Sequence, residues 1–120
     1  MKIAITATGR ELSSQVDPRF GRAQYFVIVD AETNAFTAHD NAQNLNAAQG
    51  AGIQAAQAVA RLGAEAVLTG HVGPKAFATL RAGKVAVFTG VTGTVREAVG
   101  QFKAGQLRAA DTADVEGHWT

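Results

Sequence analysis

The chain contains no cysteine, a single tryptophan, a single tyrosine and two prolines in 120 residues. Without cysteine no disulfide framework can form, and no thiolate is present to hold zinc or an iron-sulfur cluster in the usual way. An excess of one charge is also missing, since 11 lysines and arginines stand against 10 aspartates and glutamates. A net charge near +1 gives no global attraction to nucleic acid or to an anionic membrane surface, so any charge signal must be local. No apolar run approaches the roughly 18 residues of a membrane span, and the opening MKIAITATGR turns polar too soon for a signal-peptide core. The missing cysteine does not identify a compartment, but the lack of a signal-peptide core and of a membrane span leads us to expect a soluble, cytoplasmic chain. Apolar residues make up 47% of it, enough at this length for one core and one domain.

The apolar residues fall into alternating strand and helix patterns. KIAITA (Lys2 to Ala7) reads as a buried strand, followed by a polar loop over residues 8 to 22 of a length that usually has a function. Ala23 to Asp30 and Asn34 to Asp40 are aromatic and β-branched, and the short connection between them predicts an antiparallel hairpin. After NAQNLN, the spacing of Ile53, Ala56, Val59 and Ala60 predicts a helix that Gly63 can end. Glu65 to Thr69 and Lys84 to Thr89 read as two more strands. The helix between them has Pro74 in its first turn and Gly83 at its end. A last helix carries Val95, Ala98, Val99 and Phe102 on one face, a Thr94-x-x-Glu97 capping box, and Gly105 to stop it. The order is βββαβαβα over residues 1–105, and residues 106–120 are expected to be a polar, partly mobile tail.

This order predicts a three-layer α/β/α, ribonuclease-H-like fold. Right-handed crossovers give a five-stranded mixed sheet of order 3-2-1-4-5 with strand 2 antiparallel. The loops after strands 1, 3, 4 and 5 then gather on one edge, with the switch point between strands 1 and 4 flanked by residues 8–22 and 70–73. That edge collects Arg10, Arg19, Arg22, His71 and Lys75, opposed by Glu11 and Asp17. It also receives the N-termini of helices beginning near Gly50, Pro74 and Thr94, whose free N–H groups favour an anion. No Walker loop and no G-x-G-x-x-G is present, so nucleotide-binding motifs do not support a phosphate or nucleotide binder. Nuclease chemistry of the ribonuclease-H type needs clustered carboxylates including one in the first strand, and KIAITA has none. His71 is open to three roles: metal ligand, proton carrier or hydrogen-bonding loop residue. His39 could face the same crevice, and His118 lies in the tail.

DPRFGRAQYF, GAGIQAAQ, GHVGPKAFATLRAG and TVREAV, in that order, resemble the dinitrogenase iron-molybdenum cofactor biosynthesis family over residues 2 to 105. The resemblance implies a ribonuclease-H-like fold and a nitrogenase-accessory type of function without catalysis. For a stand-alone, cysteine-free member it implies carriage of a molybdenum-copper sulfide cluster, with an iron-molybdenum-type cluster as the alternative. Carried over by motif, Arg19, Phe20, Gly21 and Arg22 match the family's loop. Gly50 to Ile53, including Gly52, match its first helix start, and Gly73 to Phe77 its second. Arg10, His71, Val72 and Lys75 complete the expected cofactor-binding set, with His71 as the candidate metal ligand. The competing expectation is a module that binds a partner protein without metal.

Overall fold

A computed structural model of the protein describes residues 1–41 and 50–110. Its strands are β1 (Lys2–Ala7), β2 (Tyr25–Asp30), β3 (Phe36–Asp40), β4 (Ala66–Leu68) and β5 (Ala86–Phe88). Its helices are α1 (Ala51–Arg61), α2 (Pro74–Ala82) and α3 (Val95–Lys103). The sheet order is β3-β2-β1-β4-β5, as the sequence predicts. β2 is antiparallel to both β1 and β3, whereas β1, β4 and β5 run parallel. Among the described residues no helix is long and apolar enough to cross a membrane.

Alternation along the central strands creates two cores. Ala4, Phe26, Ile28, Val67 and Val87 face one side and pack with α1 and α2. Ile3, Ile5, Val27, Val29 and Leu68 face the other and pack with α3. A sheet buried on both faces requires this near-continuous apolar content, and the result is the expected three-layer arrangement.

One helix departs from the periodicity expected of it. In α1 the buried stripe is Ala51, Gly52, Ala55, Ala56 and Val59, while Ile53 is half-buried and Ala60 exposed. Small residues let the helix lie close to its neighbours, so the larger Ile53 turns toward the rim. Residues 106–110, expected to belong to the polar tail, make contacts with the rest of the fold. Ala109 bridges to Phe88, Ala110 donates its N–H to the Val87 carbonyl at 2.7 Å, and Leu107 packs against the α3-side core. These contacts pair part of the β5 edge that would otherwise be bare. Residues 111–120, including His118, and most of the NAQNLN connection lie outside the described residues.

The capping box of α3 forms as its sequence predicts. The Thr94 hydroxyl accepts from the Glu97 N–H at 3.1 Å, and the Glu97 carboxylate accepts from the Thr94 N–H at 2.9 Å. The backbone N–H of Thr94 holds the Glu97 carboxyl below its ordinary value, so this contribution to stability is present at neutral pH and is lost as the pH falls through the lowered value. Replacing Thr94→Ala should destabilise the protein by about 1 kcal/mol in chemical denaturation. Glu97→Gln should remove part of the loss of stability on acidification.

Candidate functional site

The geometry at the β1–β4 switch point follows from how residues 17–22 are held. Asp17 starts a turn, accepting the Arg19 N–H on its carboxylate at 3.1 Å, and donates its own N–H to the Thr6 carbonyl at 2.8 Å. Residues 18–20 then lie parallel to the segment after β4. His71 donates its N–H to the Pro18 carbonyl at 2.7 Å, and Phe20 donates its N–H to the His71 carbonyl at 3.2 Å. Arg19 and His71 are thereby bridged as a parallel pair, which places the two residues side by side on one short ladder.

Two glycines permit this docking. A Cβ on Gly70 would stand 2.6 Å from the Pro18 carbonyl oxygen and 2.7 Å from the Pro18 Cα. A Cβ on Gly21 would stand 2.8 Å from the Gly52 Cα and 2.9 Å from the Gly52 N, at the first turn of α1. Both obstacles are backbone, which cannot swing aside as a side chain can. The loop is thus clamped between the start of α1 and the start of the His71 segment. Phe20 anchors it: the residue is 1% exposed, and its ring centre lies 5.7 Å from that of Phe26. Burying such a ring contributes roughly 2–3 kcal/mol, more than any single hydrogen bond in the loop.

The residues expected at the site are therefore of two kinds. Arg19, His71 and Lys75 are exposed and Arg22 is half-buried, so these side chains supply charge and polar atoms. Phe20 and Val72 are core residues whose side chains fix the loops, leaving only their backbone for the site. Gly50 adopts the left-handed conformation as the N-cap of α1, and Gly52 lies buried in its first turn. Gly73 is the N-cap of α2, with Pro74 next. Arg10 stands on the β2 side of β1, with its guanidinium 4.9 Å from the centre of the Tyr25 ring. His39 pairs with Phe26 in β3, two strands from the switch point, and its ring shares a 2.9 Å hydrogen bond with Thr37. It is not brought to the crevice.

The three helix N-termini are not equivalent. α3 was expected to offer free N–H groups, but Val95 donates to the Ser14 carbonyl, Arg96 to the Leu12 carbonyl and Glu97 to the Thr94 hydroxyl. Its donors are consumed in holding residues 12–16. Among the described residues no side chain caps α1 or α2, so those two ends keep their positive character on the side of the Arg19–His71 ladder. No sequence pattern flagged Ser14 or Leu12 for this role, because they act through backbone carbonyls.

No group of three histidines, aspartates or glutamates suited to a metal ion occurs among the described residues. The chain has no cysteine either, so no set of protein ligands suited to a bare metal ion is present among the described residues.

The family model described as dinitrogenase iron-molybdenum cofactor matches residues 1–105. The chain belongs to this family. The iron-molybdenum cofactor family assignment agrees with solved structures. The chain is similar to the orange protein from Desulfovibrio gigas, solved in its apo form, with 47% identity, 95% of this chain and 96% of that one covered, and a TM-score of 0.94. It is similar to a NifB-like protein from Thermotoga at 35% identity, covering 95% and 98% of the two chains with a TM-score of 0.80. An uncharacterized protein of Methanocaldococcus jannaschii is 29% identical over 109 residues, 89% of each chain.

If the clamp is as tight as these contacts indicate, Gly70→Ala and Gly21→Ala should each destabilise the fold by ~1–3 kcal/mol. Gly100→Ala, in α3 with open space around the added methyl, should instead stabilise it by ~0.5–1 kcal/mol. Denaturant titration of the three variants checks both signs.

Proposed function

We propose that this protein is a non-enzymatic, cytoplasmic carrier of an anionic metal-sulfide cluster, with molybdenum-copper sulfide as the first cargo and an iron-molybdenum-type cluster as the alternative. The observation that supports the reading is the Arg19–His71 ladder of a cysteine-free chain, held beside the starts of α1 and α2, which carry no side-chain cap among the described residues. The likeness to the orange protein supports it, since an apo form implies a removable group.

The chemistry is recognition and not bond making. A sulfide cluster supplies its metals' ligands, so the chain need supply only hydrogen-bond donors and positive charge. Backbone N–H groups in the first turns of α1 and α2 point along their axes toward such an anion. Arg19 and Arg22 add planar donors, Lys75 adds a point charge, and His71 adds one nitrogen that can donate or ligate. Hydrogen bonds to charged groups contribute ~1.5–3 kcal/mol each and helix ends ~0.3–1 kcal/mol. A few together reach about 8 kcal/mol, or roughly micromolar affinity, which suits reversible carriage.

Anaerobic mixing of apo-protein with tetrathiomolybdate and copper should give a charge-transfer absorption that elutes with the protein. In the triple variant Arg19→Gln, Arg22→Gln, Lys75→Gln, retention should fall by roughly 100-fold or more, the equivalent of about 3 kcal/mol. Equal co-elution of colour with the variant would show that the site lies elsewhere. His71→Ala should weaken retention, and a shift of the absorption band would assign His71 as a ligand to metal.

A further inference from the structure

Beneath the Arg19–His71 ladder, two threonines from neighbouring parallel strands meet in the core. Thr6 in β1 and Thr69 just after β4 are both fully buried, and their hydroxyl oxygens are 2.8 Å apart. The Thr6 hydroxyl also lies 2.7 Å from the Asp17 carbonyl oxygen. Proton counting fixes the direction of this chain. A carbonyl can only accept, so the single Thr6 hydrogen goes to Asp17, and the hydrogen between the two hydroxyls must come from Thr69. The relay therefore runs from Thr69 O–H to Thr6 Oγ1 and from Thr6 O–H to the carbonyl of Asp17.

Thr69 is bonded on its backbone as well. Its N–H donates to the Phe88 carbonyl at 3.0 Å and its carbonyl accepts from Val91 N–H at 3.1 Å, while the next residue, Gly70, accepts from Gly90 N–H at 2.8 Å. One buried residue thus ties β5 and the 90–91 segment through its backbone, and β1 and the Asp17 turn through its hydroxyl. A valine would pack equally well in an apolar core and would avoid burying an oxygen, so an apolar-packing requirement alone does not account for threonine at both positions.

We infer that Thr69 and Thr6 are positioning residues for the cluster-binding edge: their buried hydroxyl relay sets the Asp17–Phe20 turn, and with it Arg19, in register with His71. The functional consequence rests on the carrier reading, whereas the positioning itself is testable in the apo-protein.

Amide hydrogen exchange on the full apo chain separates the two. Thr69→Val keeps shape and removes one hydrogen bond, and should speed exchange at Asp17, Phe20 and His71 by about fivefold, with the β1–β2 amides changed by less than about twofold. Thr6→Val leaves the Thr69 hydroxyl without an acceptor and the Asp17 carbonyl without this donor, and should exceed about tenfold. The double valine variant should lie below Thr6→Val alone, because it no longer buries an unpaired hydroxyl. Thr69→Ser should restore wild-type exchange, and Thr69→Ala provides the same comparison if the valine variant does not fold. Uniform acceleration across the sheet, additive effects, or no change at the three amides would overturn the inference.

Loaded with tetrathiomolybdate and copper, Thr69→Val should release colour about fivefold faster than wild type, and Thr69→Ser at the wild-type rate. Equal release by Thr69→Val and wild type would overturn the functional part. If wild type takes up no colour, the carrier reading falls, and the exchange pattern still decides the positioning claim.

Discussion

His71 donates its amide hydrogen to Pro18 and receives one from Phe20, and on these two bonds rests everything the switch-point edge can do. They join segments far apart in sequence, one following β1 and the other following β4, whose parallel pairing at the centre of the sheet brings them together. Gly70 and Gly21 allow the approach, Phe20 anchors it, and the buried threonines lie below it. Without that docking Arg19 and His71 would belong to separate loops, and the entropy of ordering each would count against binding any ligand.

The same edge shows how one device, a helix N-terminus, can be used in two ways. α3 turns its first N–H groups to the carbonyls of Leu12 and Ser14 and closes itself with Thr94 and Glu97, so its end is structural. α1 and α2 start from glycine N-caps with no side-chain acceptor among the described residues. In the proposed function, the partial positive charges of these two ends act on the bound anion together with the cations of the Arg19–Arg22 turn. A cluster-binding site of backbone donors and cations, as proposed, would need no thiolate, which is compatible with a metal-related family and a chain that contains no cysteine.

Strand order, strand direction, the helix starts and the two-sided core were legible in the sequence because each follows from a local pattern or a handedness rule. KIAITA has to be buried, Thr94-x-x-Glu97 has to cap, and β4 and β5 have to run parallel once helices precede them. What the sequence did not reveal depends on long-range backbone bonds. Nothing in LSS (Leu12 to Ser14) marks its carbonyls as acceptors for α3, and nothing in QLRAA (Gln106 to Ala110) announces pairing with β5. Phe20 and Val72 sit in motifs that resemble site residues, and both side chains lie in the core, an orientation that a motif alone does not reveal.

In the proposed carrier, the first turns of α1 and α2, and not that of α3, face the anion. Chemical-shift mapping of the apo-protein during an anaerobic titration with tetrathiomolybdate tests this placement directly. Saturating shifts are expected at the amides of Gly52, Ile53, Lys75 and Ala76 and at Arg19 and His71, with Val95 and Arg96 unmoved. Shifts confined to α3, or scattered over the surface without saturation, would contradict this placement.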